Sequence, residues 1–146
     1  MAFYDRNQVG VHQDSIPTDF KKTGIYIISD QHGHIKIGKT TNLGRRLKEI
    51  QNGNPFQIKL LYFFDVQKDE LDSYEQMFHK EFEKDRLNGE WFNEQPVLDF
   101  MIFIMSDIYS HVRVGLMLES KDAFQKEMKR LRNEYYAANY AVCAER

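Results

Sequence analysis

One short hairpin pattern constrains this chain more than any other feature. Gly24-Ile25-Tyr26-Ile27-Ile28 is β-branched and aromatic, Asp30-Gln31-His32-Gly33-His34 supplies turn residues, and Ile35-Lys36-Ile37-Gly38 returns. A three-residue loop of Gln31, His32 and Gly33, with Gly33 left-handed, pairs Asp30 with His34. Counting back sets Ile28 opposite Lys36 and Tyr26 opposite Gly38. Opposed residues share a face of a sheet, so Tyr26, Lys36 and Gly38 project together. A loop of two or four residues would reverse this parity, which makes the register an expectation the fold can contradict.

The rest of the chain alternates helical and extended patterns. Residues 1–23 lack clear periodicity and read as an irregular lead-in. Thr41 or Asn42 caps a helix to about Gln51, with Leu43, Leu47 and Ile50 as its apolar stripe. Arg46 lies about 60° from Leu43 around that helix and reaches back toward the sheet, whereas Arg45, at about 160°, points away. Residues 58–66 read as a third strand. A second helix spans about 69–86, with Leu71, Tyr74, Phe78 and Phe82 within roughly 80° of arc. Glu75 lands about 40° from Leu71, among apolar positions, with His79 four residues on. A carboxylate there needs a partner, a hydrogen bond or a metal.

Pro96 suits the first turn of a further helix. Val97, Met101, Ile104, Met105, Ile108 and Val112 keep helical spacing up to Gly115. A last helix carries Phe124, Met128, Leu131, Tyr135, Ala138 and Val142 at alternating steps of four and three. That seam needs a partner, either the preceding helix or a second copy in a homodimer. The expected class is therefore α+β: a small three-stranded antiparallel sheet flanked by helices, with a C-terminal helical extension.

Composition narrows the function. The single Cys143 excludes an intrachain disulfide and a cysteine-based zinc cluster. No N-terminal signal pattern is present, and the apolar run from Val97 to Leu118 is interrupted by Asp99, Asp107, His111 and Arg113, which a bilayer resists. The simple expectation is a cytoplasmic protein with no membrane span. The formal net charge is −2, so indiscriminate nucleic-acid binding is not expected. From His34 to Lys48, however, Lys36, Lys39, Arg45, Arg46 and Lys48 come with no acid between them. By composition alone that is a solvated patch. Lys121, Lys126, Lys129, Arg130 and Arg132 near the C-terminus are diluted by acids and read as a solvated helix face.

Taken in order, Gly24-Ile25-Tyr26, Lys36-Ile37-Gly38-Lys39-Thr40, Asn42-Leu43 through Arg46, Glu75 and Trp91-Phe92-Asn93 resemble the GIY-YIG nuclease superfamily. The stretches Leu47-Lys48-Glu49-Ile50-Gln51, Asn54-Pro55, His79 and Gly89-Glu90-Trp91-Phe92 bring the chain nearer its small phage and bacterial branch. The resemblance covers residues 24–93, so the chain divides into the lead-in 1–23, a nuclease-like domain 24–93 and a helical extension 94–146. Lys36 stands where the second signature tyrosine belongs, which questions any mechanism needing two phenols.

The resemblance implies a metal-dependent endonuclease with DNA as partner, RNA being the alternative. Cutting a phosphodiester needs an activated water, charge on the phosphate and help for the departing oxygen. Tyr26 is the candidate general base, with Lys36, Lys39 and Arg46 as cations that would favour its phenolate. Arg46 offers a planar fork to phosphate. Glu75 would hold Mg²⁺ or Mn²⁺, and His79 would orient it or a water. Lys39, Arg45 and Lys48 are candidate substrate contacts, and Asn93 matches the family's terminal Asn. Glu90 reads as a turn hydrogen-bonder rather than a metal contact. The rival reading is a binding module on the same fold without cleavage; a third is a helical oligomerisation protein.

Overall fold

A computed structural model describes residues 10–106 and 109–144, with side chains as far as Asn139. The six strands β1 (Val11–His12), β2 (Gly24–Ser29), β3 (His34–Thr40), β4 (Lys59–Asp65), β5 (Arg86–Asn88) and β6 (Trp91–Asn93) form one antiparallel sheet, in the order β1-β4-β2-β3-β6-β5. The class is α+β, but the sheet is twice as wide as its three clear strand patterns. β1 falls in the stretch that reads as irregular, and β5 and β6 have three residues each. Strands that short have no room for a period-two pattern.

The β2–β3 register is the one the hairpin pattern predicts. Ile28 pairs with Lys36 and Tyr26 with Gly38. Gly33 is left-handed at φ +94°, and the Asp30 N–H donates to the His34 carbonyl at 3.1 Å. The Asp30 carboxylate accepts from the His32 and His34 N–H groups and meets the His34 ring at 2.7 Å. Parity is thereby fixed from inside the loop.

Helix α1 (Leu43–Asn52) is capped by Asn42, whose side chain accepts from the Arg45 N–H, and it buries Leu43, Leu47 and Ile50 as its stripe predicts. Gly44 has a reason to interrupt it: a Cβ there would run into the Pro17 carbonyl of the lead-in. Glycine costs the helix about 1 kcal/mol against alanine. Each buried Leu or Ile returns roughly 1.5–3 kcal/mol, so the helix holds.

Helix α2 (Leu71–Glu81) is shorter than the 69–86 pattern. Single 3-10 turns, Lys68–Glu70 and Glu83–Asp85, flank it, and the chain then enters β5. Phe82 stays buried just past the helix end. Helices α3 (Glu94–Met105) and α4 (Ser110–Met117) replace the single helix expected up to Gly115, and Gly115 sits within α4. A straight helix would hold Met105 and Met117 about 18 Å apart; as two helices, both residues reach the same core. In α5 (Lys121–Ala144), Phe124, Met128 and Leu131 are buried and Tyr135 is half-buried, packed on α4, α2 and α3. Ala138 is exposed, and Ile108 and the Val142 side chain lie outside the described residues. Among the described residues no single helix is long and apolar enough to cross a membrane.

The sheet separates two cores of unequal size. On one face Ile25, Ile27, Ile35, Ile37, Phe64 and Phe92 pack with α2, α3 and α5. On the other, Tyr26 and Ile28 pack with Leu43, Leu47 and Ile50 of α1 and with Ile58.

Candidate active site at the open edge of β3

Tyr26 is fully buried in the middle strand pair, and its hydroxyl emerges over Gly38. The hydroxyl donates to Glu90 Oε2 at 3.4 Å and accepts from Arg46 Nε at 3.3 Å. Lys36 Nζ lies 3.3 Å from the same Glu90 oxygen and 5.2 Å from the centroid of the Trp91 ring. Gly38 is what permits this gathering. A Cβ there would overlap the Tyr26 phenol and stand 2.8 Å from Glu90 Oε2. Tyr26, Lys36 and Arg46 therefore meet on the α1 face, as strand parity and helix phase predict.

Glu75 comes from the other side. Its helix packs on the opposite face, so Glu75 does not share the face on which Tyr26, Lys36 and Arg46 meet. β6 pairs with β3 only over His34–Lys36, followed by an Ile37 N–H bond to the Glu90 carbonyl. Beyond that point the edge of β3 is met by α2. His79 Nε2 lies 2.7 Å from the Ile37 carbonyl, and because a carbonyl only accepts, this nitrogen carries the proton. Four residues earlier, Glu75 Oε1 is 3.9 Å from Lys39 Nζ. The i, i+4 pair thus lies along the strand edge, with His79 bonded to it. Glu75 reaches the site around this edge, near enough for its charge to act on Tyr26.

The electrostatics correct one expectation. Burial first, and then the Glu90 carboxylate, push the Tyr26 phenol up to about 12, against the opposing pull of Arg46. Lys36, expected to favour the phenolate, is instead paired with Glu90. Arg46 has its fork divided, with Nε on Tyr26 and Nη1 3.4 Å from Glu49 Oε2. Glu75 pairs with Lys39 rather than Arg46. Its carboxyl is raised by burial and by Glu90, with His79 and Lys39 opposing.

The remaining candidates are spread out. Lys39 is exposed and also paired with Asp72. Arg45 and Lys48 lie on the exposed side of α1, Arg45 3.7 Å from Glu49. Asn93 is exposed opposite His34, two positions along from the Trp91–Lys36 pair. Of the C-terminal cations, Lys126, Arg130 and Arg132 pair with Asp122, with Glu127 and Glu134, and with Glu81. A cleft of about 440 Å³ between the lead-in and β4, lined by Ile16, Pro17, Phe20, Leu60 and Phe63, contains none of the cluster's residues.

The residue that pattern reading misplaced is Glu90. Its carboxylate lies on Tyr26 and Lys36, not on the turn. A partial signal was available: Asn88-Gly89 is the strongest short-range hairpin dipeptide. That hairpin pairs β5 with β6; the separate pairing of β6 with β3, Trp91 opposite Lys36, is what brings Glu90 to the site, and the dipeptide does not reveal it.

Glu75 Oε2 is buried and has no hydrogen-bond partner among the described residues. No group of three or more His, Cys, Asp and Glu is gathered for a metal among those residues. One buried, unpartnered carboxylate oxygen fits an ion that keeps most of its waters and takes the rest of its shell from substrate phosphate, as Mg²⁺ does. The cluster thus brings a phenol, two cations and a carboxylate together, with Glu75 close enough to act on the phenol electrostatically.

A family model described as the T5orf172 domain matches residues 23–105. No curated protein and no solved structure matches the chain. The matched segment is more than half of the sequence and holds every member of the cluster, and the chain belongs to the T5orf172 domain family.

Proposed function

We propose that this protein is a metal-dependent endonuclease that hydrolyses DNA phosphodiester bonds with residues 24–93, RNA being the alternative substrate. The observation that carries the reading is the meeting of Tyr26, Arg46, Lys36 and Glu90 on one face of the sheet, with Glu75 near enough for its charge to act on Tyr26. Membership of a nuclease-like, phage-associated family supports it, as does the GIY-YIG resemblance over the same residues.

In this reading the Tyr26 hydroxyl takes the proton from the attacking water. Arg46 stays on the Tyr26 oxygen and turns its exposed end from Glu49 to a phosphate oxygen. Lys36 adds charge to the same phosphate, and Lys39, Arg45 and Lys48 follow the flanking backbone. Glu75 would hold Mg²⁺ or Mn²⁺, whose positive charge would stabilise the oxygen that leaves phosphorus. His79 fixes the edge of β3 and so the position of Glu75, and Asn93 holds the end of β6. Residues 1–23 and 94–146 support the domain, and a homodimer would form through α5 beyond Leu131.

A specific observation favours a second reading, a DNA-binding module without cleavage. A phenol raised to about 12 is a weak base at neutral pH, and Lys36 replaces the second tyrosine. Cleavage of supercoiled plasmid separates the two readings. The nuclease reading expects nicking with Mg²⁺ or Mn²⁺, none with EDTA, and none from Glu75→Ala. Retained gel-shift binding without cleavage by the wild type selects the binding module.

A further inference from the structure

Glu90 occupies a position the reaction assigned above leaves without a task. Its Oε2 is 3.4 Å from the Tyr26 hydroxyl and 3.3 Å from Lys36 Nζ. It is held there from both sides: the Glu90 carbonyl is bonded to the Ile37 N–H, and the phenol and carboxylate lie together over Gly38, where any side chain would part them. A hydroxyl has one proton to donate and two lone pairs to accept with. At Tyr26 the proton points to Glu90 and one lone pair receives Arg46 Nε; the second lone pair has no assigned partner, on a side chain that is fully buried until the site opens to substrate.

We propose that Tyr26 and Glu90 form a two-step proton relay, with Glu90 as the final acceptor of the proton lost by the attacking water. This inference rests on the nuclease reading and deepens it. As the water oxygen bonds to phosphorus, its proton passes to the Tyr26 oxygen, and the Tyr26 proton passes to Glu90 Oε2. The bond from phosphorus to the 3′ oxygen breaks, the departing oxygen takes a proton from solvent, and Glu90 later returns its own to solvent. Tyr26 begins and ends as a neutral phenol, so a high phenol pKa does not prevent it from acting. Lys36 Nζ lies 3.3 Å from the same Glu90 oxygen, so a positive charge faces the accepting carboxylate. The 3.4 Å contact is long for an O–H donor, as catalytic hydrogen bonds often are before substrate closes on them.

The test is single-turnover cleavage at saturating plasmid and Mg²⁺ by the folded, full-length wild type and by Glu90→Gln, which keeps the shape and loses the proton acceptor. The relay predicts a loss of about 10²-fold in rate with unchanged plasmid affinity, in the usual range for a lost acid–base group. It also predicts a curved rate dependence on D₂O fraction in the wild type, from two protons in motion, and a straight one in the residual activity of Glu90→Gln. A merely structural Glu90 would not change the number of protons in motion. A Glu90→Gln rate within about threefold of wild type, or a straight line for the wild type, overturns the relay while leaving the nuclease reading in place. A wild type that binds plasmid and never cuts it overturns both.

Discussion

The two faces of the sheet each bury a tyrosine whose phenol is pushed up to about 12, and the two are raised for different reasons. Tyr62, on the α2 face, is raised by burial alone, and its hydroxyl has no partner among the described residues. Tyr26, on the α1 face, is raised by burial and by Glu90 and opposed by Arg46. Similar rises thus come from burial alone in one case and from burial within a polar cluster in the other. The α2 face has the larger core, with Phe78 stacked on Phe64 and edge-on to Phe124. The α1 face has a small core with a charged rim. In the proposed reading, stability belongs mainly to the first face and chemistry to the rim of the second.

Phe78→Ala should give the largest effect on stability. Removing a fully buried phenylalanine costs about 3–5 kcal/mol, read as a drop in denaturation midpoint. Any loss of cleavage should follow the folded fraction. A folded Phe78→Ala protein with its catalytic rate per molecule abolished would break the division between the faces.

Alkaline unfolding should come next. Both tyrosines have folded pKa values above 10, so their contribution to stability is fully present below pH 10 and is lost as pH rises to 12. The loss is about 2–3 kcal/mol for each. Tyr62→Phe should remove its share while leaving neutral-pH stability little changed, since the hydroxyl it deletes has no partner. Chemical denaturation at pH 7 and pH 11 checks this. An equal alkaline loss in Tyr62→Phe would put the source elsewhere.

Gly38→Ala should reverse the pattern of Phe78→Ala. One methyl forced against Tyr26 and Glu90 costs about 1–3 kcal/mol in stability, yet it parts the phenol from the carboxylate and should abolish cleavage. Full activity in Gly38→Ala would contradict the close approach over that residue.

The sequence made legible what depends on parity and phase. Two strand runs joined by a three-residue loop with one left-handed glycine placed Tyr26, Lys36 and Gly38 on one face, and helix phase brought Arg46 to them. Illegible were features set by few residues or by tertiary packing. β1, β5 and β6 are too short for a period, and the separation of α3 from α4 leaves the apolar spacing intact. Glu75 shows the limit most clearly. Its phase marked it as a carboxylate in need of a reason, but only the sheet order reveals that it reaches the site around an edge. The Tyr26 phenol was misread because counting nearby cations omits burial and Glu90, the two largest influences on it.

The most direct test of the central claim, that the rim of the α1 face carries out hydrolysis through Tyr26, is single-turnover plasmid cleavage by Tyr26→Phe, with its plasmid affinity and thermal midpoint measured alongside. The account predicts a fall in rate of about 10²–10⁴-fold with affinity nearly unchanged. Cleavage by Tyr26→Phe at the wild-type rate would contradict it.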